Sequence, residues 1–294
     1  MLALLVKPTL WKSRKTNSVL EGLQTSGAVV LQGSNSVELS IELAALQVIY
    51  PDLTLVACGG DGTFHLALNS LPDLQIPIAV LPMGTGNDLA RYLGIKKLKL
   101  GIAALRNGAP VKMDMGTIES SDGSTRRFAG IASCGFDAQV NERANTYRGP
   151  AGTLKYLFAL AVELVKLNSR EFMVSTNGGE HQAGRFTLIA VGNTSSYGGG
   201  LKMCPTADAF DQHFEVTYVD KVTRRLLVRV LPKVFWGGHT KHRQVTQSAA
   251  QKIEIGGDEF PVYADGEKIG HGPVVITLHP GAMRVWQAQP TNTP

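Results

Sequence analysis

Cysteine is scarce in this 294-residue chain, and Cys58, Cys134 and Cys204 are odd in number and far apart. They make neither a Cys-x-x-Cys metal pair nor a secreted disulfide framework, and a reducing compartment is the setting they fit. Charged residues are only 18% and aromatics 7%, while hydrophobic residues reach 44%. That balance excludes a disordered, collagen-like or coiled-coil protein. Long apolar runs are missing too. Met1 to Val6 stops at Lys7-Pro8, short of a signal sequence and without its basic flank, and Leu154 to Val165 is interrupted by Lys155 and Glu163. No repeat or low-complexity tract is present. A cytoplasmic globular protein is expected, and a prior of about 150 residues per domain favours two domains.

What is present is a net charge of +5, gathered in clusters: Lys96-Lys97-Lys99, Arg224-Arg225-Arg229 and Lys241-His242-Arg243. Such clusters suit an anionic membrane surface, a phosphate-rich ligand or nucleic acid, and equally a solvated face.

Up to residue 110, strand and helix signals alternate. Leu2–Val6, Ala28–Leu31, Thr54–Cys58 and Ile76–Leu81 read as buried strands; helical spacing covers Val37 to Val48, the stretch through Leu68, and about Asn87 to Leu93. This predicts a parallel α/β sheet with ligands at the carboxyl ends of its strands. Beyond Pro110 the runs shorten: Val111–Ile118, Phe128–Ser133, Phe172–Thr176, Phe186–Val191, Phe214–Val219, Gln251–Ile255, Val262–Ala264 and Val274–Leu278, with one helix around Thr153 to Leu167. A β-sandwich or curved sheet is expected there.

Two motifs carry chemistry. In Cys58-Gly59-Gly60-Asp61-Gly62-Thr63 a strand runs into a turn whose glycines leave room for a phosphate against bare backbone. The following helix aims its positive dipole end at that turn, and a carboxylate there makes sense with a Mg²⁺ between it and the phosphate. A tight turn with an aspartate N-cap has the same appearance. Pro82-Met83-Gly84-Thr85-Gly86-Asn87-Asp88-Leu89-Ala90-Arg91 repeats the device at the end of the next strand, with an Asn-Asp pair positioned to cap a helix. Two such turns at one sheet edge point to a shared nucleotide cleft. No Walker A loop and no dinucleotide fingerprint is present.

Together the motifs resemble the catalytic-domain family of diacylglycerol kinases, near the small soluble bacterial lipid kinases and related to sphingosine and ceramide kinases. The likeness continues through Gly135-Phe136-Asp137-Ala138, Asn193, Gly198-Gly199-Gly200, Pro205, Asp211 and Asp265-Gly266-Glu267. Gly-Gly-Asp-Gly alone is shared with NAD kinases and phosphofructokinases; the second motif and the late Asp-Gly-Glu single out lipid kinases. The resemblance implies a phosphofructokinase-like (Rossmann-like) α/β domain over 1–110. A β-sandwich-like domain over 111–294 would follow, its extreme C-terminus returning to the first, with ATP in the cleft between them. It implies transfer of the γ-phosphoryl of Mg·ATP to a lipid hydroxyl, that of diacylglycerol or a related lipid alcohol. Glu267 would be the base, with Asp61 at the reacting phosphate; without the resemblance Asp265-Gly266 reads simply as a hairpin turn. Lys12, Ser34, Gly59, Gly60, Asp61, Gly62, Thr63, Gly84, Thr85, Gly86, Asn87 and Asp88 would contact the nucleotide. Asp61, and separately Asp208, Asp211 and the carbonyl of His213, would hold Mg²⁺.

Departures from the family pattern are specific. Lys7-Pro8-Thr9-Leu10-Trp11-Lys12 stands for Asn-Pro-x-Ser-Gly-Lys, Ser34 for a threonine, Leu66 for a glutamate, and Gln212 for a glycine. NAD kinase-like phosphorylation of a soluble nucleotide, or a non-catalytic nucleotide- or lipid-binding relic, are the alternatives. The lipid partner would be met peripherally, on the inner membrane face, through the aromatic and basic segment around Phe235 to Arg243. The apolar helix near Leu154–Val165 reads as an acyl-channel wall or as core. No nucleic-acid partner is expected, and the oligomeric state stays open, a homodimer included.

Overall fold

The computed structural model describes residues 1–7, 10, 14–146 and 153–288. By compactness the chain divides into one unit of Met1–Met113 with Gly281–Pro294 and a second of Asp114–Pro280.

In the first unit the elements run β1 (Leu2–Val6), α1 (Arg14–Thr25), β2 (Val29–Val30), α2 (Ser36–Ile49), β3 (Thr54–Gly59), α3 (Asp61–Ser70), β4 (Ile78–Pro82), α4 (Asp88–Tyr92) and α5 (Leu98–Asn107). All strand pairs are parallel. β1 lies between β2 (Ala3↔Val29) and β3 (Leu2↔Thr54), and β4 pairs with β3 (Leu55↔Ile78). Every residue of β3 is buried, as a central parallel strand covered on both faces requires. Leu4, Leu20, Val56, Cys58, Ala79 and Leu81 form the core. The apolar spacing read over 37–48 is two stripes on one helix: Leu39 and Leu43 are buried, whereas Val37, Ile41, Val48 and Ile49 face outward. Asn35 opens this helix, its Oδ1 accepting from the N–H groups of Val37 and Glu38 at 3.1 and 3.0 Å.

The second unit is antiparallel. It takes in most of β5 (Pro110–Ser120), then β6 (Thr125–Phe128), β7 (Ile131–Gly135), α6 (Phe136–Thr146), α7 (Thr153–Val165), β8 (Arg170–Thr176), β9 (Gln182–Gly192), β10 (Phe214–Asp220), α8 (Arg224–Val230), 3₁₀ turns at Leu231–Trp236 and Gly238–Lys241, β11 (Val245–Ala250), β12 (Lys252–Ala264) and the beginning of β13 (Glu267–Trp286). The strand order is β11-β10-β9-β7-β12-β13, with β8 also against β9 and β12, and β5 against β6 and β13. Besides β10 and β13 respectively, long β9 and β12 each pair with β7 at one end and β8 at the other. That sharing lets the sheet fold over a core in which Phe128 stacks on Phe214 at 5.6 Å and Phe172 meets Phe260 edge-on at 5.0 Å. A second cluster of Phe136, Val140, Ala144 and Ala159 joins α6 to α7, and an Arg143–Glu163 ion pair links the same helices.

Some expected boundaries move. Gln251–Ile255 and Val262–Ala264 belong to one strand, β12, interrupted by a bulge between Ile255 and Phe260. Phe128–Ser133 is two strands, broken at Ala129-Gly130. Helices α1, α5, α6 and α8 and strand β11 are additional to those expected. Among the described residues no helix is long and apolar enough to cross a membrane.

Candidate active site

β3 delivers the chain to Gly59-Gly60, and α3 starts at Asp61 with Gly60 as its N-cap residue and no side chain capping it. The first-turn amides and dipole end of α3 therefore face the turn. The turn after β4 comes up against it. Met83 and Gly84 both donate their N–H to the Gly59 carbonyl, at 2.9 and 3.1 Å. A methyl group on Gly84 would stand 2.5 Å from the Cα of Gly60, so only glycine permits this approach. A methyl on Gly86 would stand 2.7 Å from Asp61 Oδ2.

Asp61 reaches beyond its own helix. Its Oδ1 accepts from the N–H of Leu89, 3.1 Å away in the first turn of α4, and so fastens the second turn to the first. The expected Asn-Asp cap of α4 takes another form. Asn87 sits in the left-handed region (φ 54°) and its side chain turns back on Gly84, accepting from its N–H at 3.1 Å and donating to its carbonyl at 2.8 Å. Asp88 is buried and paired with Arg91, whose guanidinium also donates to the Gly86 carbonyl. Thr85 is exposed at the tip of this turn, and Thr63 is half-buried in α3. Gly59, Gly60, Asp61, Gly62, Thr63, Gly84, Thr85, Gly86, Asn87 and Asp88 are thus one construction at the carboxyl ends of β3 and β4. Cys58, just before it, is no nucleophile, because burial pushes its thiol up to about 12.

Ser34 follows β2, which is separated from β3 by β1. Its N–H and hydroxyl both donate to Glu38 Oε2, at 2.8 and 2.9 Å. The Gln32 and Gly33 amides donate to Glu42. The Ser34 amide first, then the Ser34 hydroxyl and the Asn35 side-chain amide, hold the Glu38 carboxyl below its ordinary range. The Asn35-x-x-Glu38 spacing is a capping signature legible in the sequence but not read from it. Lys12, with Pro8 and Trp11, lies outside the described residues. Leu66 is half-buried on α3, next to buried His65, whose Nε2 lies 3.3 Å from Asn69 Nδ2.

In the second unit Asp265-Gly266 forms a two-residue hairpin turn, both residues at positive φ (53° and 83°), with Ala264 opposite Glu267. The Asp265 carboxylate accepts from the amides of Ala129 and Gly130 at 3.1 and 2.8 Å, which anchors the tip. Glu267 is exposed. The loop with Asp208, Asp211 and His213 is tied elsewhere. Asp208 Oδ1 accepts from Phe210 N–H (3.2 Å) and Asp211 Oδ1 from His213 N–H (2.9 Å). Gln212, at φ 67°, donates its N–H to Asp114 at 2.7 Å. Among the described residues no three His, Cys, Asp or Glu side chains converge on a metal position.

Residues 13–118 match the diacylglycerol kinase catalytic domain, and residues 130–287 match the YegS C-terminal NAD kinase beta sandwich-like domain. The chain belongs to the diacylglycerol kinase family. It is 36% identical over 245 residues to the diacylglycerol kinase of Mycobacterium tuberculosis, covering 83% of this chain and 79% of that one. To the diacylglycerol kinase of Staphylococcus carnosus it is 27% identical, over 74% and 71% of the two chains. Among solved structures it superposes on a diacylglycerol kinase from Bacillus anthracis with TM-score 0.71 at 17% identity, covering 97% and 96%. An NAD kinase from Archaeoglobus fulgidus in complex with ATP gives 0.54 at 14%, covering 98% and 94%. Membership of this family makes the chain a phosphotransferase, and the two structures carry its two-part α/β and β-rich fold.

Proposed function

We propose that this protein transfers the γ-phosphoryl group of ATP to the hydroxyl of a lipid alcohol, diacylglycerol being the first acceptor to test. The interlocked turns carry the reading: Gly60 against Gly84, with Asp61 fastening α4. They offer a backbone surface without side chains and a helix N-terminus for phosphates. Phosphoryl transfer asks for positioning and charge neutralisation more than for covalent chemistry. Gly60, Gly62, Thr63 and Thr85 are assigned to the phosphates and Asn87 to holding the second turn in shape. Glu267, exposed on a hairpin whose tip Asp265 holds still, is assigned to accept the hydroxyl proton.

A magnesium ion, when bound, neutralises phosphate charge. Asp61 suits it, as a hard carboxylate oxygen beside unblocked backbone, whereas Asp88 is committed to Arg91. Asp208 and Asp211 each give one carboxylate oxygen to a backbone N–H, as Asp61 does to that of Leu89, and with the His213 carbonyl they are assigned to an ion separate from the one that serves transfer.

The test is transfer of γ-labelled phosphate from Mg·ATP to diacylglycerol, phosphatidylglycerol, ceramide, sphingosine and a polyprenol in mixed micelles, with NAD as the soluble acceptor. One labelled lipid is expected, with losses of about 10²-fold or more in Glu267→Gln and Asp61→Ala. Labelled NAD alone, or ATP binding with no product on any acceptor, would overturn the reading. The second outcome would favour a relic in which Leu66 replaces a needed carboxylate.

A further inference from the structure

Between Asp220 and Glu254, positions 221–253 hold eight lysines and arginines and none of the chain's 24 acidic residues. Thr223 caps α8, its Oγ1 accepting from Leu226 N–H at 3.3 Å, and α8 runs directly into the 3₁₀ turn at Leu231–Trp236. Along these thirteen residues two sides separate. Leu226, Leu227, Val230, Leu231 and Val234 are buried or half-buried; Leu227 packs on the α6–α7 cluster, and Val234 joins the cluster of Tyr197, Leu201 and Met203. The other side carries the exposed cations Arg224, Arg225, Arg229 and Lys233. Among them stand Val228, Phe235 and Trp236, 54%, 57% and 65% exposed. Lys241 and Arg243, just beyond, are exposed as well.

A solvated helix face ordinarily mixes both signs of charge, and its exposed apolar residues are scattered singly. Here three apolar side chains sit within a face of one sign. We infer that this face docks on an anionic lipid bilayer, with Phe235 and Trp236 entering the headgroup layer and the four cations meeting lipid phosphates. Charge decides the occupant. A symmetric contact with a second copy would set cations against cations, whereas an anionic leaflet complements them. The inference rests on the lipid-acceptor reading for its purpose, while binding itself is measured without turnover.

The full chain is sedimented, without nucleotide, with phosphatidylcholine vesicles that contain either about 30% phosphatidylglycerol or none. Binding is expected on the anionic vesicles alone, and it should weaken at roughly 0.5 M salt. Arg225→Gln/Arg229→Gln should lose about thirtyfold in affinity. Phe235→Ser/Trp236→Ser should lose binding together with the lipid-induced blue shift of tryptophan fluorescence. Both double variants should keep parental lipid phosphorylation in detergent micelles. Vesicle binding that depends on these residues, with no kinase activity in micelles, would support the docking face and sink the acceptor reading alone. Equal binding to neutral vesicles, or parental binding by both doubles, overturns the docking proposal. So does retention on polyuridylate without vesicle binding, or a dimer abolished by Phe235→Ser/Trp236→Ser without vesicle binding.

Discussion

Replacing Gly84 with alanine would put a methyl carbon 2.5 Å from the Cα of Gly60 and 2.8 Å from its amide nitrogen. Non-bonded carbons rest at about 3.5–4.0 Å, so the two turns would have to part by roughly 1 Å. Both obstructing atoms are main chain, and no flexible side chain can swing away to absorb the strain. A misplacement of that size at a positioned group costs about 10²-fold in rate. Overpacking costs about 1–3 kcal/mol in stability, which in a chain of this size lowers Tm by several degrees. Gly60→Ala is the milder insult, its methyl meeting the Gly84 Cα at 3.2 Å, and a loss within about tenfold is expected. Gly22→Ala on the exposed face of α1, with nothing within 4 Å, should leave activity unchanged and add about 0.5–1 kcal/mol. The assays are kcat for phosphate transfer in micelles, ATP affinity by calorimetry, and Tm. Parental ATP affinity and rate in Gly84→Ala, or greater damage from Gly60→Ala, would refute the interlock.

Three further outcomes are expected. Asp265→Ala should cost about 1–3 kcal/mol in urea unfolding by stranding the Ala129 and Gly130 amides, and Asp265→Asn less; an alanine variant as stable as the parent would refute the anchor. Gln212→Gly relieves a left-handed glutamine worth about 1–2 kcal/mol, partly offset by glycine's freedom in the unfolded chain, so Tm should rise slightly; a fall would mean the Gln212 side chain matters more than its backbone. Burial holds the His239 imidazole below its usual 6.5, beside the Met203 carbonyl at 3.2 Å. The unfolded chain thus binds the proton more readily, and stability present above about pH 6.5 is lost as pH falls toward the folded value. Urea midpoints at pH 7.5 and 5.5 should differ less in His239→Gln than in the parent; identical differences would remove His239 from the account.

How much of this was legible in the sequence depends on the range of the forces involved. Thr54–Cys58 and Phe214–Val219 announce themselves because a buried strand needs an unbroken run or a strong β alternation. Both glycine turns were legible for a similar reason, since a strand entering a helix tightly needs glycine where it turns. α8 was not: Arg-Arg-Leu-Leu-Val-Arg-Val is only seven residues, too short for a periodicity to show, and is a helix because Leu227 finds the α6–α7 cluster. β12 read as two runs because Gly256-Gly257-Asp258-Glu259 mimics a turn, although the chain only bulges there. The role of Asp61 was invisible for a different reason. A local reading makes it a cap, and only tertiary folding brings it to Leu89, twenty-eight residues away.

The course of β13 bears on when this protein can fold. Its opening residues lie against β12 in the second unit, and Val285, near its end, pairs with Ile78 of β4 in the first. The first unit is therefore split along the chain, its last strand emerging from the ribosome some 170 residues after Met113. Until then β4 has an open edge, with Ile78 one partner short. Synthesis proceeds from the N-terminus, yet the glycine turn that follows β4 is supported by a sheet that only the segment from Gly281 onward completes. A chain cut anywhere between Arg91 and Gly281 would carry every residue of both glycine turns and still lack the strand that closes the sheet beneath them.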